Sequence, residues 1–412
     1  MSRNYGEVAL GTIAEFSYGH TATAQDNGDI RFLRITDIDE NGLLKKNGAK
    51  FIDFTNDLEK YKVKKGDLLV ARTGGTFGKT LYYKNDESAV YASFLIKIIL
   101  NTARLMPEYY FHFSQSNKYW FQANNLVTGG GQPQFIANIL KEIAVPLPPL
   151  SEQKAIADLL STWDMAIEKT ERLIKAKEHF EKSLILKLLF GKVRIGGRRT
   201  TVVKVKRWLS IPSDWKVVKI GFVSKEVSDR NQNGDDVPVL SCTKYDGLVD
   251  SLKYFDKQIY SKDTSTYKVV AHGQFAYATN HIEEGSIGYQ DLYPQGLVSP
   301  MYTVFETDKR KVNDGYLYKL LKTETYRRIF EIKTNASVDR RGSLRWKEFS
   351  KLPIPFPSID EQMEINEVLD AAQREVDLLK GRLELLKKQK RGLMQKLLTG
   401  QWRVSVFKEQ SQ

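Results

Sequence analysis

Residues 143–195 read IAVPLPPLSEQKAIADLLSTWDMAIEKTERLIKAKEHFEKSLILKLLFGKVRI, and residues 352–404 read LPIPFPSIDEQMEINEVLDAAQREVDLLKGRLELLKKQKRGLMQKLLTGQWRV. The two stretches align without a gap at a constant offset of 209 (361 − 152). Pro146/Pro355, Pro148/Pro357, Glu152/Glu361, Gln153/Gln362, Leu160/Leu369, Lys187/Lys396, Leu188/Leu397, Leu189/Leu398, Gly191/Gly400 and Arg194/Arg403 coincide. A gapless repeat spaced by half of a 412-residue chain predicts an internally duplicated molecule. Such a molecule presents two similar surfaces related by approximate two-fold symmetry.

Each copy reads as one helix of about 40 residues, or about 60 Å at the α-helical rise. The prolines end whatever precedes them, because proline cannot continue a helix and biases its neighbour toward extended backbone. Ser151 and Asp360 stand where N-caps are wanted, and Glu152 and Glu361 follow in the first turn, where the helix dipole favours negative charge. Gly191 and Gly400 supply the C-terminal stop. The second copy carries a 4-3 repeat, Ile365, Leu369, Ala372, Val376, Leu379, Leu383, Leu386, Lys390, Leu393 and Leu397, apolar at every position but Lys390. That pattern predicts a coiled-coil seam. The first copy is looser: Ile156, Leu160, Trp163, Ile167, Ile174, Phe180, Leu184 and Leu188 are broken by Thr170 and Lys177. An apolar stripe this long needs a partner. Antiparallel pairing of the two helices respects the duplication; packing of each helix on its own preceding domain is the alternative.

The intervening halves, 1–142 and 197–351, differ in sequence but share an order of features. KVKKGDLLVAR (62–72) and YKVVAHGQFAYAT (267–279) both read as strand, glycine turn, strand. Residues 89–100 and 297–305 read as later strands, and 107–123 and 313–332 as aromatic-rich amphipathic helices. Each half then ends in a polar, glycine-containing loop, 128–134 and 337–343, before the prolines. The expected class is α+β, with globular domains at 1–142 and 197–351 and helical repeats at 143–196 and 352–412. Between the halves, residues 192–207 hold Lys192, Arg194, Arg198, Arg199, Lys204, Lys206 and Arg207 and no acidic residue, either a solvated linker or a phosphate contact.

A formal charge of +13 favours a polyanionic partner, nucleic acid before membrane. One cysteine, Cys242, excludes an intrachain disulfide and a cysteine-clustered zinc site. The five histidines lack ligand spacing, so no metal is expected. The N-terminal residues form no apolar signal core, and the richest apolar run, 94–100, contains Lys97; a cytoplasmic location without a membrane span is expected. The stretch TGGTFGKT (73–80) approaches a phosphate loop. The glycine that G-x-x-x-x-G-K-[ST] requires falls on Thr73, however, and LYY after it reads as strand. No Asn/Asp-Pro-Pro-aromatic, G-x-S-x-G, H-E-x-x-H or EF-hand pattern occurs, and the carboxylate pairs Asp235/Asp236 and Glu283/Glu284 lie in turn-like stretches. The chain is read as a binding protein carrying no cofactor of its own.

The paired PLPPLSEQ and PFPSIDEQ segments, the helices ending in KLLFG and KLLTG, and the elements GDLLV and GQFAY resemble the specificity subunit of type I restriction–modification enzymes. The resemblance covers essentially the whole chain, and its helical repeats are its most specific part. It implies two target-recognition domains held apart by an antiparallel coiled coil, each reading one half of a bipartite double-stranded DNA site. It implies no catalytic activity in the chain itself, two methyltransferase subunits as partners and, in many members, two ATP-dependent restriction subunits as well. A coiled-coil scaffold with two protein-binding heads is the alternative of another class.

Candidate DNA contacts are Arg72, Thr73, Lys79, Gln132 and Gln134 in the first half, and Asn280, His281, Arg340, Arg341 and Arg345 in the second. Arginine suits guanine edges, Gln and Asn suit adenine, and any cation can hold phosphate instead. Candidate partner contacts are Glu152, Gln153, Glu361 and Gln362. Helix capping accounts for acidic residues at such positions, but not for the glutamines.

Overall fold

The computed structural model describes residues 5–45, 47–127, 135–206, 208–335 and 343–404. Contacts divide the chain into two compact units, residues 1–172 with 380–412, and residues 173–379. Both repeats are helices of 40 residues, Leu150–Leu189 and Ile359–Leu398, and the division runs through both.

The helices start earlier than the expected caps. Ser358 Oγ accepts the Glu361 N–H at 3.3 Å, so the cap in the second copy is Ser358 and Asp360 lies in the first turn. In the first copy Pro149 occupies that place, and its carbonyl accepts the N–H groups of Glu152 and Gln153, each at 2.9 Å; Ser151 is already helical. The C-terminal stops are as expected. Gly191 and Gly400 take φ of +63° and +79°. The N–H groups of Val193 and Trp402 then reach back to the carbonyls of Lys187 and Lys396 at 3.2 and 3.0 Å. This crossed bond requires a left-handed residue, which glycine adopts without Cβ strain.

Within each unit, segments of the two helices pair antiparallel. In the first, Glu171 meets Lys387 at 2.9 Å and Asp164 meets Lys390. In the second, Lys177 meets Glu375 at 2.8 Å, and Leu188 shares a core with Ile365 and Leu369. The 4-3 positions of the second helix all face inward or half-inward, with Ile365, Leu369, Val376, Lys390 and Leu397 buried. The first helix departs from its expected stripe at Phe180, which is 57% exposed. A strict 4-3 count from Ile174 passes through Lys177, Glu181, Leu184 and Leu188, all buried or half-buried. Periodicity therefore outweighs the hydrophobicity of a single side chain, and the seam accepts Thr170 and Lys177.

Each unit is built on a four-stranded antiparallel sheet with the same strand order. In the first it runs Ala14–Tyr18, Leu95–Leu100, Leu68–Ala71, Thr80–Tyr82; in the second, Ser224–Val227, Tyr302–Thr307, Phe275–Ala278, Ile287–Tyr289. The expected strand–glycine–strand elements end in the third strands, after turns at Gly66 and Gly273 with φ of +94° and +83°. Each expected aromatic helix is two helices, Pro107–Ser114 with Asn117–Leu126, and Asp314–Leu321 with Glu324–Asn335. The break falls at Ser116 and Thr323, whose hydroxyls accept the N–H groups of Tyr119 and Tyr326 and so start a new helix.

In the first unit Leu68, Val70, Ile96, Tyr109, Phe113, Ile156, Leu160 and Leu397 share one core. In the second, Phe275, Phe305, Tyr316, Leu320, Leu188, Ile365 and Leu369 do the same. Each sheet is thus packed on the first of its domain helices and on both repeat helices together. Both alternatives open in the sequence, pairing with each other and packing on the domain, are realised at once. No helix among the described residues is long and apolar enough to cross a membrane.

Candidate nucleic-acid interface

The hairpin between the third and fourth strands of each sheet carries five of the candidate DNA contacts: Arg72, Thr73 and Lys79 in the first unit, Asn280 and His281 in the second. In the first unit Ala71 donates to the Lys79 carbonyl at 2.9 Å and Gly78 to the Ala71 carbonyl at 2.8 Å, closing a loop over 72–79 with a 3-10 turn at Gly74–Thr76. A strand follows at Thr80–Tyr82, so the loop does not lead into a helix as a phosphate loop does. Arg72, Thr73 and Lys79 are brought together there, all half-buried. The Arg72 guanidinium lies 5.3 Å from the centre of the Tyr18 ring, and the Tyr18 hydroxyl accepts the Ala137 N–H at 3.1 Å. Gln132 and Gln134 lie outside the described residues. Phe135, which follows them, donates to the Arg72 carbonyl at 2.7 Å.

The second unit repeats this connection: Leu344 donates to the Thr279 carbonyl at 2.8 Å, which makes Thr279 the counterpart of Arg72. Asn280 is half-buried and His281 exposed on the hairpin, and a 3-10 turn follows at Ile282–Glu284. His281 Nδ1 is 3.3 Å from Glu284 Oε1, and ligand atoms of His281, Glu283 and Glu284 all lie within 4.8 Å of one another. The second hairpin is therefore locally acidic where the first is basic. Arg340 and Arg341 lie outside the described residues. Arg345 is exposed and precedes the short helix Trp346–Phe349. Tyr18 was invisible as a site residue in the sequence, because nothing local places it over Arg72.

The four candidate partner contacts are interior. Gln153 and Gln362 are fully buried, and both hold the same three backbone groups. Gln153 Oε1 accepts the Met106 N–H at 2.9 Å, while Nε2 donates to the carbonyls of Arg104 and Pro148 at 2.8 and 2.9 Å. Gln362 Oε1 accepts the Asn313 N–H at 2.9 Å, while Nε2 donates to Lys311 and Pro357 at 3.3 and 3.0 Å. Each glutamine thus fastens the start of a repeat helix to the start of a domain helix, which accounts for its recurrence and that of the prolines without a partner.

Glu152 and Glu361 are closed by arginines in an exchanged arrangement. Arg194 ends the first repeat and reaches Glu361 of the second at 2.8 and 2.9 Å; Arg403 ends the second and reaches Glu152 of the first at 2.8 and 2.7 Å. Trp215 Nε1 completes the Glu361 site at 3.1 Å, and the Tyr5 hydroxyl completes the Glu152 site at 2.8 Å. Burial opposes charge on Glu152, yet the hydrogen bonds from Arg403 and Tyr5 hold its carboxyl below the usual range. The match of Arg194 with Arg403 was visible in the repeat; that each closes the other copy's glutamate follows only from the antiparallel pairing.

His112, on the first domain helix, is buried with Nε2 3.2 Å from Ser161 Oγ. Burial and then the charges of Lys390 and Lys84 push its pKa down to about 3 from 6.5. Asp164, 3.8 Å from Nδ1, is already engaged by Lys390. Between pH 6.5 and 3 the unfolded chain binds a proton that the native chain does not, so stability falls as pH falls through that window. From pH 7 to 5 this one group should cost about 2 kcal/mol. Urea unfolding at the two pH values is expected to show that loss in the parent and a smaller one in His112→Asn; equal losses would refute it.

The profile of the type I restriction modification DNA specificity domain matches the chain twice, over residues 3–178 and 212–388. The chain belongs to that family. The double match is the duplication read from the repeats. The chain is 26% identical over 380 residues to the type I restriction enzyme MjaVIII specificity subunit of Methanocaldococcus jannaschii, covering 86% of this chain and 83% of that protein. The fold is similar to that of the type I restriction–modification S subunit from M. genitalium, with a TM-score of 0.57, 15% identity and 96% of each chain covered. It is also similar to the HsdS subunit from Thermoanaerobacter tengcongensis, with a TM-score of 0.50, 17% identity and 97% of each chain covered.

Proposed function

We propose that this chain is the non-catalytic DNA-reading subunit of a type I restriction–modification complex, each unit recognising one half of a bipartite double-stranded site. The observation that carries the reading is the pair of equivalent hairpins, 72–79 and 279–286. They occupy the same place on the corresponding sheet of each unit, yet their side chains differ in charge and type. One scaffold carrying two dissimilar loops suits two different half-sites. Arg72 and Lys79 fit guanine edges or phosphate, and Asn280 fits adenine. Gln132, Gln134, Arg340, Arg341 and Arg345 are proposed with them. Domains at 1–142 and 197–351, with repeats at 143–196 and 352–412, remain the proposed division of labour.

Selection of duplexes from a randomised pool by the full chain is expected to enrich two specified blocks separated by an unspecified gap. Enrichment of one continuous block would overturn the reading. The paired helices are proposed to set the gap. One heptad inserted in register in each helix adds about 10.5 Å, or about three base pairs. The selected gap should lengthen by that amount in a chain that still folds; an unchanged gap would remove the ruler role.

Methyltransferase subunits are proposed to dock on the repeat helices, two per chain, with restriction subunits joining through the same complex. Because Glu152, Gln153, Glu361 and Gln362 are interior, the docking surface is assigned to neighbouring exposed positions. Leu159 and Val368 are equivalent in the repeat, apolar and exposed. Changes at the glutamines would act on docking through the position of these helices.

A further inference from the structure

The two domain helices are related by an offset of 207 (316 − 109). The same bonds recur at that spacing: the hydroxyls of Tyr109 and Tyr316 donate to the carbonyls of Pro146 and Pro355 at 3.1 and 3.2 Å, and Met106 and Asn313 donate to the two buried glutamines. At this junction, however, two pairs of positions differ between the units. His112 corresponds to Lys319, and Ser161, its partner, corresponds to Asp370. The first unit joins His112 to Ser161 at 3.2 Å, and the second joins Lys319 to Asp370 at 2.6 Å.

The second difference is one of volume. Asn366 corresponds to Ala157, and Gly315 to Glu108. Asn366 accepts from Lys319 at 2.7 Å and donates to Asp370 at 2.9 Å. A Cβ added at Gly315 would stand 2.3 Å from Asn366 Oδ1 and 2.6 Å from its Cγ. The asparagine would have to move from the position in which it makes both hydrogen bonds. In the first unit the repeat offers Ala157 instead, and Glu108 accepts the Tyr82 hydroxyl at 2.6 Å.

We infer that each globular domain carries a positional key, Glu108 with His112 in the first and Gly315 with Lys319 in the second, that fits only the helical repeat on which it already sits. Transposed, the first domain would drive the Cβ of Glu108 into Asn366 and leave Asp370 facing His112 in place of Lys319. The second would leave Lys319 facing Ser161, with Asp164 already held by Lys390. Replacement of a domain by another with the same key is permitted, whereas exchange of the two domains within the chain is not. The order of the domains along the chain is thereby fixed, whatever they bind.

The test moves the key and the lock separately in the full chain. Gly315→Glu with Lys319→His imports the first domain's key. Asn366→Ala with Asp370→Ser imports the first repeat's lock. The key change alone is expected to lower the unfolding midpoint by at least about 5 °C, given roughly 2–4 °C per kcal/mol for units of this size. Adding the lock change should recover half of that loss or more, as coupled neighbours do. A key-changed chain that fails to fold supports the inference if the combined variant folds. A neutral key change, additive losses, or a combined variant no more stable than the key change alone would overturn it.

Discussion

Replacing Arg194 by alanine is expected to destabilise the second unit by about 3–5 kcal/mol, the cost of leaving the buried Glu361 carboxylate without its cation. The side chains of Glu361 and Arg194 are only 4% and 5% exposed, and Arg194 also bonds Asp214 through two contacts of 2.8 Å. Of the side chains that bond this carboxylate, Trp215 alone would remain. Glu361→Ala should cost less, because Arg194 keeps its two bonds to Asp214. The exchanged pair in the first unit predicts a smaller effect. Arg403 is half exposed, and Glu152 keeps Tyr5 and the Val404 N–H when the guanidinium is removed, so Arg403→Ala should cost about 1–2 kcal/mol. Denaturant unfolding of the two arginine variants compares them directly. Equal losses would mean that burial does not set the cost of these pairs.

The second large effect is on DNA. If the hairpins read bases, alanine at Arg72, Thr73 and Lys79 together should weaken binding to the selected duplex severalfold to more than a hundredfold. Each base-reading side chain contributes about 1–3 kcal/mol, and the loss should relax specificity in one block only. The corresponding changes at Asn280 and His281 should relax the other block. Unfolding midpoints belong in the same experiment, because Arg72 also packs against Tyr18. Binding unchanged by either set, in folded variants, would remove the hairpins from the interface. A uniform loss across all sequences, with a shallower salt dependence, would assign these side chains to phosphate.

Local rules were enough for the repeats. Proline, acidic first turn, 4-3 spacing and terminal glycine act within a few residues of one another, and they placed both 40-residue helices to within a residue or two. Turn glycines at 66 and 273 likewise announced the central strands. The duplication was legible as well, because an ungapped offset survives in the repeats even where the domains between them have diverged.

Tertiary structure alone decided what those residues touch. Gln153 and Gln362 looked like spare surface groups because their acceptors, Arg104 and Lys311, lie 49 and 51 residues away in sequence. Phe180 looked like core until the helix pairing fixed which face turns inward. The exchange of Arg194 and Arg403 between copies depends on which segments of two helices lie side by side, and the close approach of Gly315 to Asn366 on how a domain helix packs on its repeat. Periodicity gives a helix its face, but a buried polar group is defined by its partner, and partners brought together by long-range packing leave no local trace in the chain.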